Sequence, residues 1–117
     1  MKFKIINLFI IFIFYSCVPT PSNRLYYWGD YSNSLYNYKR ALTQESLDLY
    51  IAELYKIIEK SNEFNLRVPP GVYAELGFYY AEQNNNNQAI KYFTLEKNTY
   101  PEATKLMDSL ITNLNTN

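Results

Sequence analysis

Apolar residues recur at helical spacing from about Leu25 almost to the C-terminus, and no segment shows the alternating polarity of a strand. The clearest predicted helix begins after a cap at Thr43 and ends near Asn62. Ser32 is the predicted cap of a shorter preceding helix that ends near Ala41. The apolar face of the long helix comprises Leu47, Tyr50, Ile51, Leu54, Tyr55, Ile57 and Ile58.

Prolines and asparagines divide the second half of the chain. Two consecutive prolines end the long helix and open a third one, predicted over 70–83. The asparagine run that follows Gln83 predicts a turn, because asparagine tolerates left-handed backbone angles and caps helices. A fourth helix is predicted over 88–100, and Pro101 suits the first turn of a last one. The apolar side of the last helix comprises Leu106, Met107, Leu110, Ile111 and Leu114. The predicted fold is all-α, with about five helices in antiparallel hairpins.

Aromatic and small residues follow a fixed spacing in this second half. The matching positions are Tyr73, Leu76, Gly77, Tyr80, Ala89, Phe93 and Pro101. This spacing resembles the 34-residue tetratricopeptide repeat, except that Glu96 stands where alanine is usual. Gly77 and Ala89 would let two helices approach closely, while Tyr80 and Phe93 would fill the space around the contact. The alternative is any helical hairpin with small residues at its crossing.

A single repeat cannot bury both of its faces, so neighbouring helices must complete the array. Residues 44–65 are interpreted as a degenerate partner helix, and residues 102–114 as the capping helix. The resemblance implies a module that holds proteins or peptides in a groove formed by helices 70–83 and 88–100. Tyr73, Tyr80 and Tyr92 are the candidate partner-binding residues there.

The first seventeen residues have the layout of a bacterial export signal. Two lysines precede an apolar run from Ile5 to Phe14, which is shorter than the ~20 residues of a membrane-spanning helix. The sequence Phe14-Tyr15-Ser16-Cys17 resembles the lipobox of bacterial lipoproteins. The resemblance implies cleavage before Cys17 and a lipid on that cysteine. An uncleaved membrane anchor and simple secretion are the alternatives.

The predicted organisation is a signal peptide at 1–16, a lipidated Cys17 with a flexible tether at 17–24, a helical domain at 25–114, and a polar tail at 115–117. Residue 18 is valine, not aspartate. By resemblance to enterobacterial sorting, this implies anchoring in the outer membrane, with the domain on the periplasmic face.

Composition narrows the possible chemistry. The sequence has one cysteine and no histidine. Because lipidation would consume the thiol of Cys17, the usual zinc and histidine-assisted catalytic sites are not expected, and no cofactor or metal is predicted. Removing residues 1–16 takes two of the eleven basic residues and leaves nine against eleven acidic ones. Without a concentrated positive surface, nucleic acid is not an expected partner.

Carboxylates alone can support hydrolysis, as in glycosidases. The candidates are Glu53, Glu59, Glu63, Glu75, Glu82 and Glu96. Three pairs have helical spacings typical of solvated faces: Glu53 and Lys56, Glu59 and Glu63, and Glu75 and Glu82. Glu75 is interpreted as a surface or capping carboxylate. No enzymatic role is therefore predicted.

Five tyrosines and the only tryptophan lie between residues 24 and 38. In one interpretation, aromatic residues of this segment complete a small core: Tyr27, Trp28, Tyr31, Leu35 and Tyr36. In the other, an exposed patch binds a partner protein or stacks on glycan rings. Gly29 predicts a turn that folds the segment back onto the helices. The segment is interpreted as a fold element with partner-binding candidates Tyr26, Tyr27, Trp28 and Tyr31.

Four short motifs follow one another in the mature chain: Tyr26-Tyr27-Trp28-Gly29, Ser34-Leu35-Tyr36, Val68-Pro69-Pro70-Gly71 and Ala74-Glu75-Leu76-Gly77. In this order they resemble a family of small bacterial lipoproteins of unknown function. The resemblance implies action beside other outer-membrane lipoproteins, including a curli-secretion-channel-like subunit, in a cell-envelope assembly. The expected function is that of a protein-binding adaptor. The alternative is a glycan-binding accessory lipoprotein that regulates peptidoglycan enzymes.

Overall fold

A computed structural model describes residues 23–116, and every regular element within this range is helical. Five α-helices and one 3₁₀ turn follow in order: α1 (Tyr31–Ala41), α2 (Gln44–Glu63), α3 (Val72–Glu82), α4 (Asn86–Thr99), the 3₁₀ turn Pro101–Ala103, and α5 (Thr104–Thr116). The all-α prediction is confirmed. None of these helices is long and apolar enough to cross a membrane. The predicted signal peptide and Cys17 lie outside the described residues.

The first hairpin joins α1 to α2, and its caps explain where both helices begin. The hydroxyl of Thr43 accepts a hydrogen bond from the backbone N–H of Ser46, whose hydroxyl accepts one from the Thr43 N–H, so α2 begins with a reciprocal capping box. The prediction that Ser32 caps α1 is wrong. Asp30 precedes the helix, because a turn at Gly29, with φ +50°, starts it two residues earlier.

The second hairpin joins α3 to α4. Its first helix begins at Val72, two residues later than predicted, because Gly71 adopts a left-handed conformation with φ +94° that a residue with a side chain rarely adopts. The predicted turn covers only the start of the asparagine run, because α4 already begins at Asn86. The side chain of Asn85 caps α4 by accepting from the N–H of Gln88. Pro101 opens the 3₁₀ turn that leads into α5.

Two buried clusters form the core. The larger joins α2 to the second hairpin through Tyr50, Ile51, Leu54, Ile57, Val68, Val72, Leu76 and Tyr92. The smaller joins α3, α4 and α5 through Ala74, Ala89, Phe93 and Met107. Both clusters include residues of the repeat-like pattern: Leu76 is buried in the larger one, and Ala89 and Phe93 are buried in the smaller one. The helices therefore pack in chain order: the first hairpin (α1 and α2), the second hairpin (α3 and α4) and the final helix, α5.

Glu96, which departs from the repeat pattern, is a buried cap. Its side chain is only 4% exposed, and its two carboxylate oxygens accept from the N–H groups of Gly71 at 2.7 Å and Ala74 at 3.3 Å. The first N–H groups of a helix have no partner within the helix, and a negative charge suits that end. A carboxylate on α4 thus closes the start of α3, which alanine could not do.

Candidate functional site

The predicted contact tyrosines of the second hairpin pack against α2. The rings of Tyr80 and Tyr92 stack at 5.6 Å with an interplanar angle of 3°, and Tyr73 stacks on Tyr92 at 6.3 Å. The hydroxyls of Tyr55 and Tyr80 share a hydrogen bond at 2.5 Å, and Tyr92 donates to Tyr55 at 3.5 Å. Burial and the Tyr80 hydrogen bond raise the pKa of the Tyr55 hydroxyl. Because Tyr92 is buried in this stack, it presents little surface to a partner.

An open groove lies elsewhere, between α1, α2 and α3. It has a volume of about 300 Å³. It is lined by Leu35, Tyr38 and Lys39 of α1, by Leu47, Tyr50 and Ile51 of α2, and by Glu75, Phe78, Tyr79 and Glu82 of α3. We call it the Glu75 groove. Helical spacing places its α3 residues roughly opposite Tyr73 and Tyr80, so the Glu75 groove is distinct from the groove predicted between helices 70–83 and 88–100.

Glu75 lies half-buried in this groove and holds two tyrosine hydroxyls. Tyr31 donates to one carboxylate oxygen at 2.5 Å, and Tyr50 donates to the other. The pKa of Glu75 is raised, mainly because burial disfavours its charged form. The hydrogen bond from Tyr31 and the charge of Lys39 partly offset this rise, and the charge of Glu96 adds to it. The interpretation of Glu75 as a surface or capping carboxylate is therefore wrong. Its fixed orientation makes it the most organised polar group of the groove.

Aromatic rings form the walls around this carboxylate. Tyr38 stacks on Tyr50 at 5.8 Å with an interplanar angle of 7°. Phe78 is 46% exposed, and its ring is held edge-on by Phe93 at 5.2 Å. Lys39 and Glu82 are exposed at the rim. An apolar wall beside a fixed carboxylate suits a ligand segment that carries both an apolar side chain and a hydrogen-bond donor.

One sequence signal could have identified the groove. Glu75 is the only charged residue in the otherwise apolar stretch from Val72 to Ala81. A lone charge on a helix that is apolar almost all round is expected to face other helices, where it needs partners. Those partners, Tyr31 and Tyr50, lie 44 and 25 residues away, beyond the reach of helical spacing rules.

The aromatic segment between residues 24 and 38, which runs into α1, faces both inward and outward. Tyr27 and Tyr31 pack partly buried against the core, whereas Trp28 is 41% exposed. Leu35 also packs against the core, but Tyr36 is 60% exposed, so including it in the core was wrong. The Tyr26 ring lies edge-on to Trp28 at 6.4 Å. Tyr27, Tyr31 and Leu35 therefore pack as the core interpretation predicts, whereas Trp28 and Tyr36 are exposed, contrary to it.

Other candidate carboxylates have structural partners. Glu53 accepts from the N–H of Asp30 at 2.8 Å and pairs with Lys56 at 3.3 Å. Glu63 pairs with Lys60 at 2.6 Å. Between residues 23 and 116, no group of three acidic, histidine or cysteine side chains is arranged to hold a metal ion.

The described chain is thus an all-α, helical-hairpin protein with an acidic, aromatic-walled groove. Residues 25–110 match the sequence profile of the family described as Domain of unknown function (DUF4810), and the chain belongs to this family. The match includes every residue that lines the Glu75 groove. Curated proteins and solved structures give no significant match.

Proposed function

We propose that this chain is a lipid-anchored outer-membrane lipoprotein that binds a segment of another envelope protein in the Glu75 groove and so acts as an adaptor. The observation that carries the proposal is the fixed carboxylate of Glu75, held by two tyrosine hydroxyls beside exposed aromatic walls. The lipid anchor rests on the lipobox-like sequence that ends at Cys17. The tetratricopeptide-like arrangement supports binding rather than chemistry.

The groove favours a partner segment with a positive charge. The charged side chains that line the groove are Glu75, Glu82 and Lys39, so acidic groups outnumber basic groups by two to one. A carboxylate has about four lone-pair positions, and Tyr31 and Tyr50 occupy two of those on Glu75. An arginine or lysine of the partner would fit the remaining positions while its neighbouring apolar side chain packs on Phe78. Charge-assisted hydrogen bonds of this kind add both strength and orientation.

The expected partners are other outer-membrane lipoproteins. By the family resemblance, a curli-secretion-channel-like subunit is the first candidate. The tether that follows Cys17 would hold the helical domain close to the membrane where such partners are anchored. Adaptor binding of this kind requires no cofactor and no nucleic acid.

A charge reversal at the groove rim tests the proposal. The tagged full-length chain is crosslinked in its own envelope, purified and analysed by mass spectrometry, beside Glu82→Lys and Glu102→Lys variants. Both substitutions make the same charge change at an exposed position, but Glu102 lies in the 3₁₀ turn, outside the groove. Outer-membrane lipoproteins should be recovered with the wild type and Glu102→Lys, and reduced severalfold with Glu82→Lys. Equal recovery with both variants would contradict groove binding.

A cysteine variant separates the anchoring alternatives. Cys17→Ala should abolish the lipid and the processed form. If the wild type itself stays in the membrane at the full precursor length of this variant, the segment is an uncleaved anchor and the lipoprotein assignment is wrong.

The exposed ring of Trp28 favours a second candidate, a glycan-binding accessory lipoprotein that regulates peptidoglycan enzymes. Aromatic faces of this kind can stack on sugar rings. This candidate predicts that the chain binds isolated cell-wall sacculi, and that Trp28→Ala loses the binding. The adaptor proposal predicts no binding to sacculi.

A further inference from the structure

Apolar side chains are exposed where the described chain begins. Leu25 is 74% exposed, Trp28 is 41% exposed and Phe64, at the end of α2, is 51% exposed. With the ring of Tyr26 they form what we call the entry patch. Two open hollows of about 510 Å³ and 400 Å³ lie here, and Arg24 lines both.

Contacts to the helices hold the entry patch in place. Trp28 lies edge-on to Tyr31 at 5.2 Å, and Phe64 lies edge-on to Tyr27 at 5.7 Å. The turn after Trp28 is fixed because the N–H of Asp30 donates to the Glu53 side chain of α2. Trp28 is therefore presented outward by residues that themselves pack against the core.

We infer that the entry patch rests in the headgroup region of the membrane that holds the lipid anchor. This inference depends on the lipidation of Cys17 proposed above. Six peptide steps lead from Cys17 to Asn23, and even a fully extended chain spans only about 20 Å over that distance. The anchor therefore holds the entry patch close to the bilayer surface. Tryptophan and tyrosine favour that interface, because each combines an apolar body with a hydrogen-bonding group.

The charges around the entry patch indicate whether electrostatic or apolar attraction would hold it to the membrane. Lys56 pairs with Glu53 at 3.3 Å and Lys60 pairs with Glu63 at 2.6 Å, while Asp30 lies in the same hollow as Arg24. Positive and negative charges are thus balanced there. The contact would come from the aromatic and apolar side chains, and unlike binding by a basic cluster it would persist at high salt.

The sequence allows a direct test, because Trp28 is its only tryptophan. The processed, lipidated chain is reconstituted into vesicles of phosphatidylethanolamine with a minority of phosphatidylglycerol, with and without lipids brominated near the headgroup. Tryptophan emission should shift to shorter wavelength on reconstitution and be quenched at least twofold by the brominated lipid, at low and high salt. A Trp28→Tyr, Leu106→Trp double variant is the control. It moves the only tryptophan to a 60% exposed position on α5, where little quenching is expected.

Mass analysis of the Cys17 peptide separates the possible failures. If Cys17 is acylated but Trp28 is quenched no more than the tryptophan at position 106, membrane contact is overturned and the anchor stands. If the emission shift requires added cell-wall fragments, the patch binds glycan and membrane contact is again overturned. If Cys17 carries no acyl group, the anchor and this inference both fail, while the pull-down still decides groove binding.

Discussion

A Cβ atom on Gly77 would lie 2.5 Å from two ring atoms of Phe93, closer than real Cβ atoms approach any neighbour. Phe93 is 1% exposed and cannot easily move. The missing side chain at Gly77 is therefore what allows α3 and α4 to meet. Gly77→Ala should reduce the free energy of unfolding by about 1–3 kcal/mol, the usual cost of overpacking a core. Urea denaturation followed by circular dichroism measures it.

The same contact can be tested in a second background. Phe93→Leu removes the ring and costs stability by itself, but it opens space at position 77. Gly77→Ala should then cost much less than in the wild type, because alanine is otherwise about 1 kcal/mol better than glycine in a helix. An equal cost in both backgrounds would show that the two residues are not coupled.

Glu96 should be essential for stability even though the repeat pattern usually has alanine there. Glu96→Ala leaves the N–H groups of Gly71 and Ala74 without their acceptors, and each such bond to a charged group is worth about 1.5–3 kcal/mol. We expect a loss of about 2–4 kcal/mol, less than the simple sum because water reaches part of the cap. Glu96→Gln should lose less, since its amide oxygen still accepts. Thermal unfolding unchanged by Glu96→Ala would refute the capping role.

Glu75 should give the fold a specific pH dependence. Burial holds its pKa above the ordinary value of 4.5. A carboxyl with a raised folded-state pKa binds more protons in the folded state, so its contribution to stability is full below pH 4.5 and is lost as the pH rises through the folded value.

A glutamine variant isolates this contribution. The stability of the wild type minus that of Glu75→Gln should fall as the pH rises from 4.5 through the folded-state pKa and then level off. Urea denaturation of both proteins at several pH values gives this difference. A difference that rises with pH would mean that the charged carboxylate is favoured in the fold, contrary to its burial.

Leu42 ends α1 in a left-handed conformation that suits few side chains. Its φ is +51° and its side chain is 71% exposed, so little packing is lost on replacement. Leu42→Asn should raise the melting temperature and stabilise the protein by about 0.5–1 kcal/mol, because asparagine tolerates this conformation. Leu106→Asn, at an exposed position within α5, should give no such gain.

Local signals in the sequence predicted the helices well. Thr43 was identified as a cap from its place before an apolar run, and Gly77 from its position in the repeat-like pattern, because both depend on residues a few positions away. Glu75 and Glu96 were misjudged because their partners lie 22 to 44 residues away. The Glu75 groove is not predictable from local patterns, because α3 is apolar on nearly all sides and its sequence does not indicate which side packs on α2.

Photocrosslinking from within the groove tests the central proposal most directly. A photoreactive phenylalanine analogue is placed at Phe78, which lines the Glu75 groove, or at Leu106 on α5, and each protein is irradiated in its own envelope. Both positions are exposed large apolar residues, at 46% and 60%. The adaptor proposal predicts a discrete crosslinked product with another outer-membrane lipoprotein from position 78 and none from position 106. Products of equal yield from both positions, or from position 106 alone, would contradict it.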